Sequence, residues 1–248
     1  EYWFWLGHQG WEFVDMGKIF QGLLFAIFIW WAVIIWKGIK PVLDKKDSWA
    51  LPNWLIYSVS CIVLLSISGF VAKPTTNFVI ADFWRWCVVH MWVEAFFEVF
   101  TTVLVGYFMV FMGLVNVQAA TRVIYLATIL FLGSGLLGIS HNFYWNAKPV
   151  ATMAIGSIFS TLQVVPLILL TLEAWRFRQM PLLALQKTAP NTSVFGFSEA
   201  FLFLIAVNFW NFAGAGVFGF IINLPIVNYF EHGTYLTVNH GHAALMGV

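Results

Sequence analysis

Apolar residues occur along this 248-residue chain in seven long stretches separated by short polar segments. An α-helix needs roughly 20 such residues to cross the hydrocarbon core of a bilayer. The pattern predicts an all-α integral membrane protein with helices over residues 17–36, 53–71, 84–115, 119–139, 150–175 and 199–222, and a seventh that begins near residue 236. Residues 1–16 are aromatic and irregular, and we expect them to form an ordered loop at the membrane surface.

The composition agrees with a membrane protein. Hydrophobic residues make up 61% of the chain and charged residues 9%, against roughly 25% charged residues in an average soluble domain. The net charge of +1 gives no reason to expect a nucleic-acid partner. We therefore expect a lipid bilayer around a single transmembrane catalytic domain covering residues 1–248. The chain starts at Glu1 and stops inside an apolar stretch, so we also expect it to be an internal fragment of a longer protein.

The basic residues predict the orientation of the helices. Eight of the twelve lysines and arginines fall on one side of the membrane in this topology: Lys37, Lys40, Lys45, Lys46, Arg122, Arg176, Arg178 and Lys187. By the positive-inside rule this side is cytoplasmic. Residues 1–16 then lie on the outer side.

The third predicted helix contains three ionisable residues at a regular spacing. His90, Glu94 and Glu98 are four residues apart, so on an α-helix their side chains share one face. Ionisable groups in a lipid-embedded helix are costly and by default indicate a functional site. A polar seam against a neighbouring helix would explain one such residue more easily than three. The topology also brings His90, His141 and His240 to one outer layer, and imidazole is a common ligand of iron, copper and zinc, so we predict a metal centre.

The seventh stretch contains two histidines, His240 and His242, with Gly241 between them. Residues two apart on a helix point about 200° apart, so the two imidazoles cannot easily ligate one metal. They can hold two different cofactors on opposite sides of the helix, and Gly241 leaves room for flat macrocycles. Two histidines that face a water-filled cavity remain the alternative.

Together these motifs resemble the catalytic subunit of nitric oxide reductases, which belong to the haem–copper oxidase superfamily. The resemblance is carried by His90-x-Trp92-x-Glu94 with Glu98, Gly138-x-x-His141 before Phe143-Tyr144-Trp145, Phe209-Trp210-Asn211 with Gly214-Ala-Gly216, and His240-Gly-His242. Residues 8–15 and 238–246 most resemble the quinol-dependent branch. The resemblance covers essentially the whole chain and implies the middle seven helices of a larger helical bundle in a bacterial cytoplasmic membrane.

The resemblance implies a set of cofactors and ligands. His240 matches the axial ligand of a high-spin haem b3, and His242 matches a ligand of a low-spin haem b. His90, His141 and Glu94 match ligands of a non-haem iron, and Glu98 matches a carboxylate associated with proton supply. Glu12 resembles a carboxylate that helps bind calcium near the haem propionates. The quinol-binding residues of the relatives fall mostly outside this chain, so a quinol partner stays open.

Two departures from the reductase pattern indicate a different reaction on nitric oxide. Asn142 stands where the reductases have a second adjacent histidine, and Gln163 stands where they have a glutamate near the iron. An amide can neither accept nor supply a proton as a carboxylate does. The pattern resembles the nitric oxide dismutases, the branch proposed to convert two NO to N2 and O2 without consuming electrons or protons. A reductase that makes N2O, and an inactive haem or NO-binding or electron-transfer protein, remain alternatives.

Overall fold

The computed structural model describes residues 2–7, 16–111, 115–144, 149–162, 165, 172 and 198–246. Apart from turns and one isolated bridge between Gly7 and Met16, this part of the chain is helical. The α-helices are α1 (Tyr2–Leu6), α2 (Lys18–Ile39), α3 (Leu51–Ser66), α4 (Phe78–Trp86), α5 (Glu98–Phe111), α6 (Val117–Gly138), α7 (Val150–Thr161), α8 (Ser198–Trp210), α9 (Gly219–Ile222), α10 (Pro225–Glu231) and α11 (Tyr235–Met246).

Five helical segments are long and apolar enough to cross a membrane, which confirms five of the seven predicted spans. They are Lys18–Val42, Leu51–Phe70, Phe78–Phe111, Val117–Phe143 and Leu202–Ile222. The fifth predicted span begins as α7, and most of its remainder lies outside the described residues. The seventh is present as α11, which has 12 residues.

The irregular loop predicted at the start of the chain is wrong for residues 2–6, which form α1. The helix packs closely on the start of α2, because a Cβ atom on Gly17 would lie 2.2 Å from the carbonyl oxygen of Trp5. Only glycine permits that approach. Residues 8–15, including Glu12, lie outside the described residues.

The third span differs from the continuous α-helix that the sequence predicts. Between α4 and α5 lies an 11-residue π-helix, Cys87–Phe97, which we call the first π-helix. A second π-helix, Asn211–Phe218, joins α8 to α9 in the span near the end of the chain. A π-helix bonds residue i to residue i+5 and therefore winds less tightly than an α-helix. His90 therefore lies on a π-helix and Glu98 on the α-helix that follows it, instead of both lying on one continuous α-helix as we predicted.

The first π-helix lies in the centre of the described bundle. On one side, its Val88 and Trp92 pack with Ile62 of α3. Just beyond its end, Val99 and Val103 of α5 belong to a second buried cluster with Phe131 of α6. The π-helix is thus enclosed by neighbouring helices, and the groups it carries are shielded from the bilayer.

Close helix contact depends on small residues, as is usual between membrane helices. Ala95 of the first π-helix faces Gly135 of α6, and a Cβ atom on Gly135 would lie 2.7 Å from the Cβ atom of Ala95. Gly133, two residues earlier on α6, has space instead: a Cβ atom added there would meet no neighbour within 4 Å among the described residues. The two glycines therefore provide a matched pair on one helix.

We expect Gly135→Ala to destabilise the protein and Gly133→Ala to leave it unchanged or slightly more stable. The first methyl would force α6 away from the π-helix at a cost of about 1–3 kcal/mol, whereas alanine in an open helical position is favoured over glycine by about 0.5–1 kcal/mol. Thermal unfolding of the two full-length variants in detergent measures the difference. Equal melting temperatures would contradict the contact.

Candidate metal and haem site

Two buried histidines from different spans meet inside the bundle. His90 belongs to the first π-helix and is 0% exposed, and His141 lies in the 3-10 turn Ile139–Phe143 after α6 and is 5% exposed. The Nε2 atom of His141 is 3.3 Å from the Nδ1 atom of His90, and the ring planes are inclined at 63°. Two of the three histidines that the predicted topology places in one layer are therefore in direct contact.

The separation of these two nitrogen atoms fits a shared metal ion. With imidazole–metal bonds of about 2.0–2.1 Å and a tetrahedral angle, two ligand nitrogens lie about 3.4 Å apart. The same separation also suits a hydrogen bond between the rings, so the distance is compatible with a metal without requiring one. No group of three His, Cys, Asp or Glu side chains converges within the described part of the chain. The side chain of Glu94, the third predicted ligand, lies outside that part.

Helix α7 holds the turn that carries His141. A Cβ atom on Gly156 would lie 2.6 Å from the Cβ atom of Ser140 and 2.9 Å from the backbone nitrogen of His141. On the other side of the contact, a Cβ atom on Gly138 would lie 3.1 Å from the backbone nitrogen of Ser160. The absence of side chains at these two glycines lets α7 lie directly against the turn. The backbone of His141 is thereby fixed by packing.

Asn142 is also inside the protein, next to His141 on the same turn. Its side chain is 4% exposed, and its Nδ2 atom makes no hydrogen bond within the described part of the chain. The following residue, Phe143, is buried and stacks on Phe83 with ring centroids 6.0 Å apart. The amide of Asn142 therefore has a buried donor that no described residue uses. Asn142, which stands where the reductases have a histidine, therefore lies in the interior of the protein.

The remaining predicted residues are placed to different extents. Glu98 is the first residue of α5 and is half-buried. Trp92, which we expect in the wall of the site, is 3% exposed and contacts Phe28 edge to face. Gln163 and Trp145 lie outside the described residues.

His240 has the hydrogen bond that is typical of a metal-ligating histidine. Its Nδ1 atom lies 2.7 Å from the carbonyl oxygen of Gly214 in the second π-helix. A carbonyl can only accept, so Nδ1 carries the proton and the lone pair is on Nε2. Metal-bound histidines almost always donate their other ring N–H in this way. This hydrogen bond fits His240 as an axial haem ligand. The Gly214 carbonyl, in the span near the end of the chain, sets the tautomer of the imidazole.

Gly219 completes the surroundings of His240. A Cβ atom on Gly219 would lie 2.8 Å from the Cε1 atom of the imidazole, so the ring lies against bare backbone. His242 is exposed, whereas His240 is half-buried. The two imidazoles of α11 thus have different surroundings, in agreement with their predicted separation around the helix. Near Gly241, the described chain offers no atom within 4 Å of a Cβ position, which leaves space on this part of α11.

Sequence reasoning missed several features of the site. It overlooked both π-helices, the Gly214 carbonyl and the packing role of Gly219 and Gly156. A signal was present in the repeated glycines around the second π-helix, because glycine inside an apolar helix often indicates close backbone approach. Nor did the sequence indicate that Glu231 is buried.

Comparison with known proteins identifies the family. Residues 2–248 match the family described as cytochrome c and quinol oxidase polypeptide I. The chain belongs to this family. Together with the helical structure, this membership confirms the predicted fold class, a polytopic membrane bundle of the haem–copper oxidase type. The chain is also 32% identical over 165 residues, or 66% of its length, to a nitric oxide reductase subunit of Stutzerimonas stutzeri. The matched region is 33% of that protein, so this member of the oxidase family spans about a third of its relative.

We expect Gly219→Ala to disturb a haem bound at His240, because the new methyl group would displace the imidazole from its hydrogen bond to the Gly214 carbonyl. The measurement is the high-spin haem absorbance per protein in the purified full-length variant. Gly133→Ala is the control, since its methyl group meets no neighbour in the described structure. Normal haem content and spectrum in Gly219→Ala would contradict this placement of His240.

We expect His90→Ala and His141→Ala to reduce the non-haem iron by similar amounts while the haem content stays near normal. The reason is that the paired nitrogens fit one ion, so either loss removes half of the described ligand pair. Metal analysis gives iron per haem, and His232→Ala serves as a histidine control outside the pair. Unchanged iron in both variants would exclude the pair as a metal site.

Proposed function

We propose that this protein is a membrane oxidoreductase that acts on nitric oxide. Three observations support the proposal: membership of the oxidase polypeptide I family, similarity to a protein named as a nitric oxide reductase subunit, and the contact between the buried His90 and His141. The site belongs to a multi-pass protein, which we assign to the bacterial cytoplasmic membrane. Its helices supply the enclosed apolar surroundings that a small uncharged gas can enter.

For the cofactors, we propose a non-haem iron bound by His90, His141 and Glu94, a haem b3 bound by His240 and a low-spin haem b bound by His242. Iron at these positions supplies Lewis acidity, which polarises a bound N–O group, and a template that holds two molecules together. Glu12 is proposed as a calcium ligand. The 3.3 Å nitrogen separation in the histidine pair and the Nδ1 hydrogen bond of His240 support the iron assignments.

The protein's own residues position the reactants and limit water. Holding two reactants in one pocket replaces a bimolecular encounter, which is a large part of catalysis in general. The rings of Trp92 and Phe143 are buried, and we propose them as the apolar wall that limits water at the site. The Nδ2 atom of Asn142 donates a hydrogen bond to a bound NO, a role that an amide can perform without a change of protonation.

We further propose that the reaction is dismutation of two NO to N2 and O2. The observation that carries this proposal is the burial of Asn142 beside His141, because it puts the exchange of imidazole for amide in the interior, beside the histidine pair. An amide is a poor ligand for iron(II) compared with imidazole. Gln163 adds a second loss of an acid or base in the sequence. Both changes suit a reaction that consumes no protons and no electrons.

Reduction of two NO to N2O and water is the second candidate, and it requires two electrons and two protons. It is favoured by the 32% identity to a reductase subunit and by Glu98, a half-buried carboxylate at the start of α5. An inactive haem or electron-transfer protein is a third candidate. The presence of Glu98 in the bundle argues against it, because a carboxylate there costs stability without a function.

The deciding experiment supplies doubly labelled NO to the full-length protein in membranes under strict anoxia, without an electron donor. We expect labelled O2 and N2 to appear together, as measured by mass spectrometry. N2O that forms only after a quinol or another reductant is added would instead identify a reductase. No gas product under either condition would identify an inactive protein, and heat-treated membranes provide the background.

We expect Asn142→His combined with Gln163→Glu to raise the ratio of N2O to N2 by at least about tenfold when reductant is present, which corresponds to about 1.4 kcal/mol in relative barrier height. These changes restore an imidazole and a carboxylate of the reductase pattern. Asn208→His combined with Gln118→Glu is the matched control, because it makes the same replacements away from the histidine pair. A product ratio that stays constant in the first variant would show that neither residue determines the reaction.

A further inference from the structure

Glu231 is a buried carboxylate that the proposed reaction does not use. It ends α10, in the short segment between the span Leu202–Ile222 and α11, and is only 2% exposed. Burial raises the pKa of Glu231, while a hydrogen bond from Thr237 and the electrostatic attraction of His240 oppose that rise. A buried carboxylate is costly unless it is paired and hydrogen-bonded. The residues that contact Glu231 therefore show how this buried carboxylate is stabilised.

Both oxygen atoms of Glu231 are held by hydrogen bonds. The hydroxyl group of Thr237 donates to Oε2 at 2.8 Å, and the amide of Asn228 donates to Oε1 at 3.2 Å. Thr237 belongs to the first turn of α11 and Asn228 belongs to α10. The carboxylate thus has a fixed orientation between the two helices.

Thr237 indicates how far the carboxylate of Glu231 lies from the imidazole of His240. Residues three apart on an α-helix share a face, so Thr237 and His240 lie on one side of α11, about 4.5 Å apart along its axis. The carboxylate bound to Thr237 is consequently about one helical turn from the imidazole.

The position of Glu231 near His240 affects the reduction potential expected of a haem bound there. Oxidised haem iron carries one more positive charge than reduced iron, and a fixed negative charge in a buried site stabilises the oxidised form more. Net charge, burial and hydrogen bonds around the axial ligand are the means by which proteins set haem potentials. His240 receives one such influence from the Gly214 carbonyl on its Nδ1 side. Glu231 supplies the other from the N-terminal side of α11.

We propose that Glu231 is a positioning residue that orients α11 at His240 and lowers the reduction potential of the haem held by His240. The proposal rests on the haem assignment made under the proposed function. A purely structural role is the competing explanation, because a carboxylate close to the N-terminus of a helix also stabilises that helix. The two roles differ in their effect on the potential.

The test is a spectroelectrochemical redox titration of the purified full-length protein, with the high-spin haem followed by its absorbance. Glu231→Gln removes the charge and keeps the shape, so we expect a higher midpoint potential. Glu231→Asp keeps the charge and should leave the potential closer to that of the parent. Thr237→Val releases the carboxylate from its anchor and should raise the potential by a smaller amount than Glu231→Gln.

The outcomes distinguish a failure of this proposal from a failure of the haem assignment on which it rests. If Glu231→Gln lowers the melting temperature while its potential equals that of the parent, the residue is structural only and the proposal is wrong. If Glu231→Gln does not retain haem, the potential of Thr237→Val decides: a rise supports the proposal and an unchanged value overturns it. A high-spin haem that persists in His240→Ala would instead overturn the haem assignment itself, whatever the potentials of the other variants.

Discussion

The contact between His90 and His141 constrains how closely the helices around it must pack. Two imidazoles inside an apolar bundle must have polar partners, because neither lipid nor apolar side chains can replace water. Each ring comes from a different span, and both are almost completely enclosed. The helices around them must therefore meet closely and at defined positions. The small residues at these positions, Gly135, Gly156 and Gly138, follow from that requirement.

Both histidine sites adjoin a π-helix. The first π-helix carries His90 itself, and the second provides the Gly214 carbonyl that accepts a hydrogen bond from His240. Such segments are rare, and they occur frequently at functional sites. A wider helical turn changes the direction of a side chain or carbonyl without interrupting the span. This is useful where several groups must converge while every backbone polar group stays satisfied in the membrane.

The surroundings of the two sites differ in a way that suits separate tasks. Around His141, the packing is close, and the next residue along the chain is an amide, Asn142, which does not change its charge. Around His240, a backbone carbonyl and the buried Glu231 surround the ligand side of α11. Under the proposed function, the first site would hold reactants with fixed dipoles, and the second would set the electronic properties of a bound iron.

The amino-acid pattern predicted the membrane class, five of the spans and the family, because apolar length and motif spacing are local properties of the chain. It also singled out His90 and His141, which the structure brings into contact, since ionisable residues are rare in such segments and stand out. It did not predict the π-helices, because the sequence around His90 has the same apolar pattern in either helix type. Nor could it predict that Gly214 would accept from His240, or that Thr237 and Asn228 would hold Glu231. Those contacts join residues whose distances depend on how neighbouring helices pack, and only the tertiary structure decides that packing.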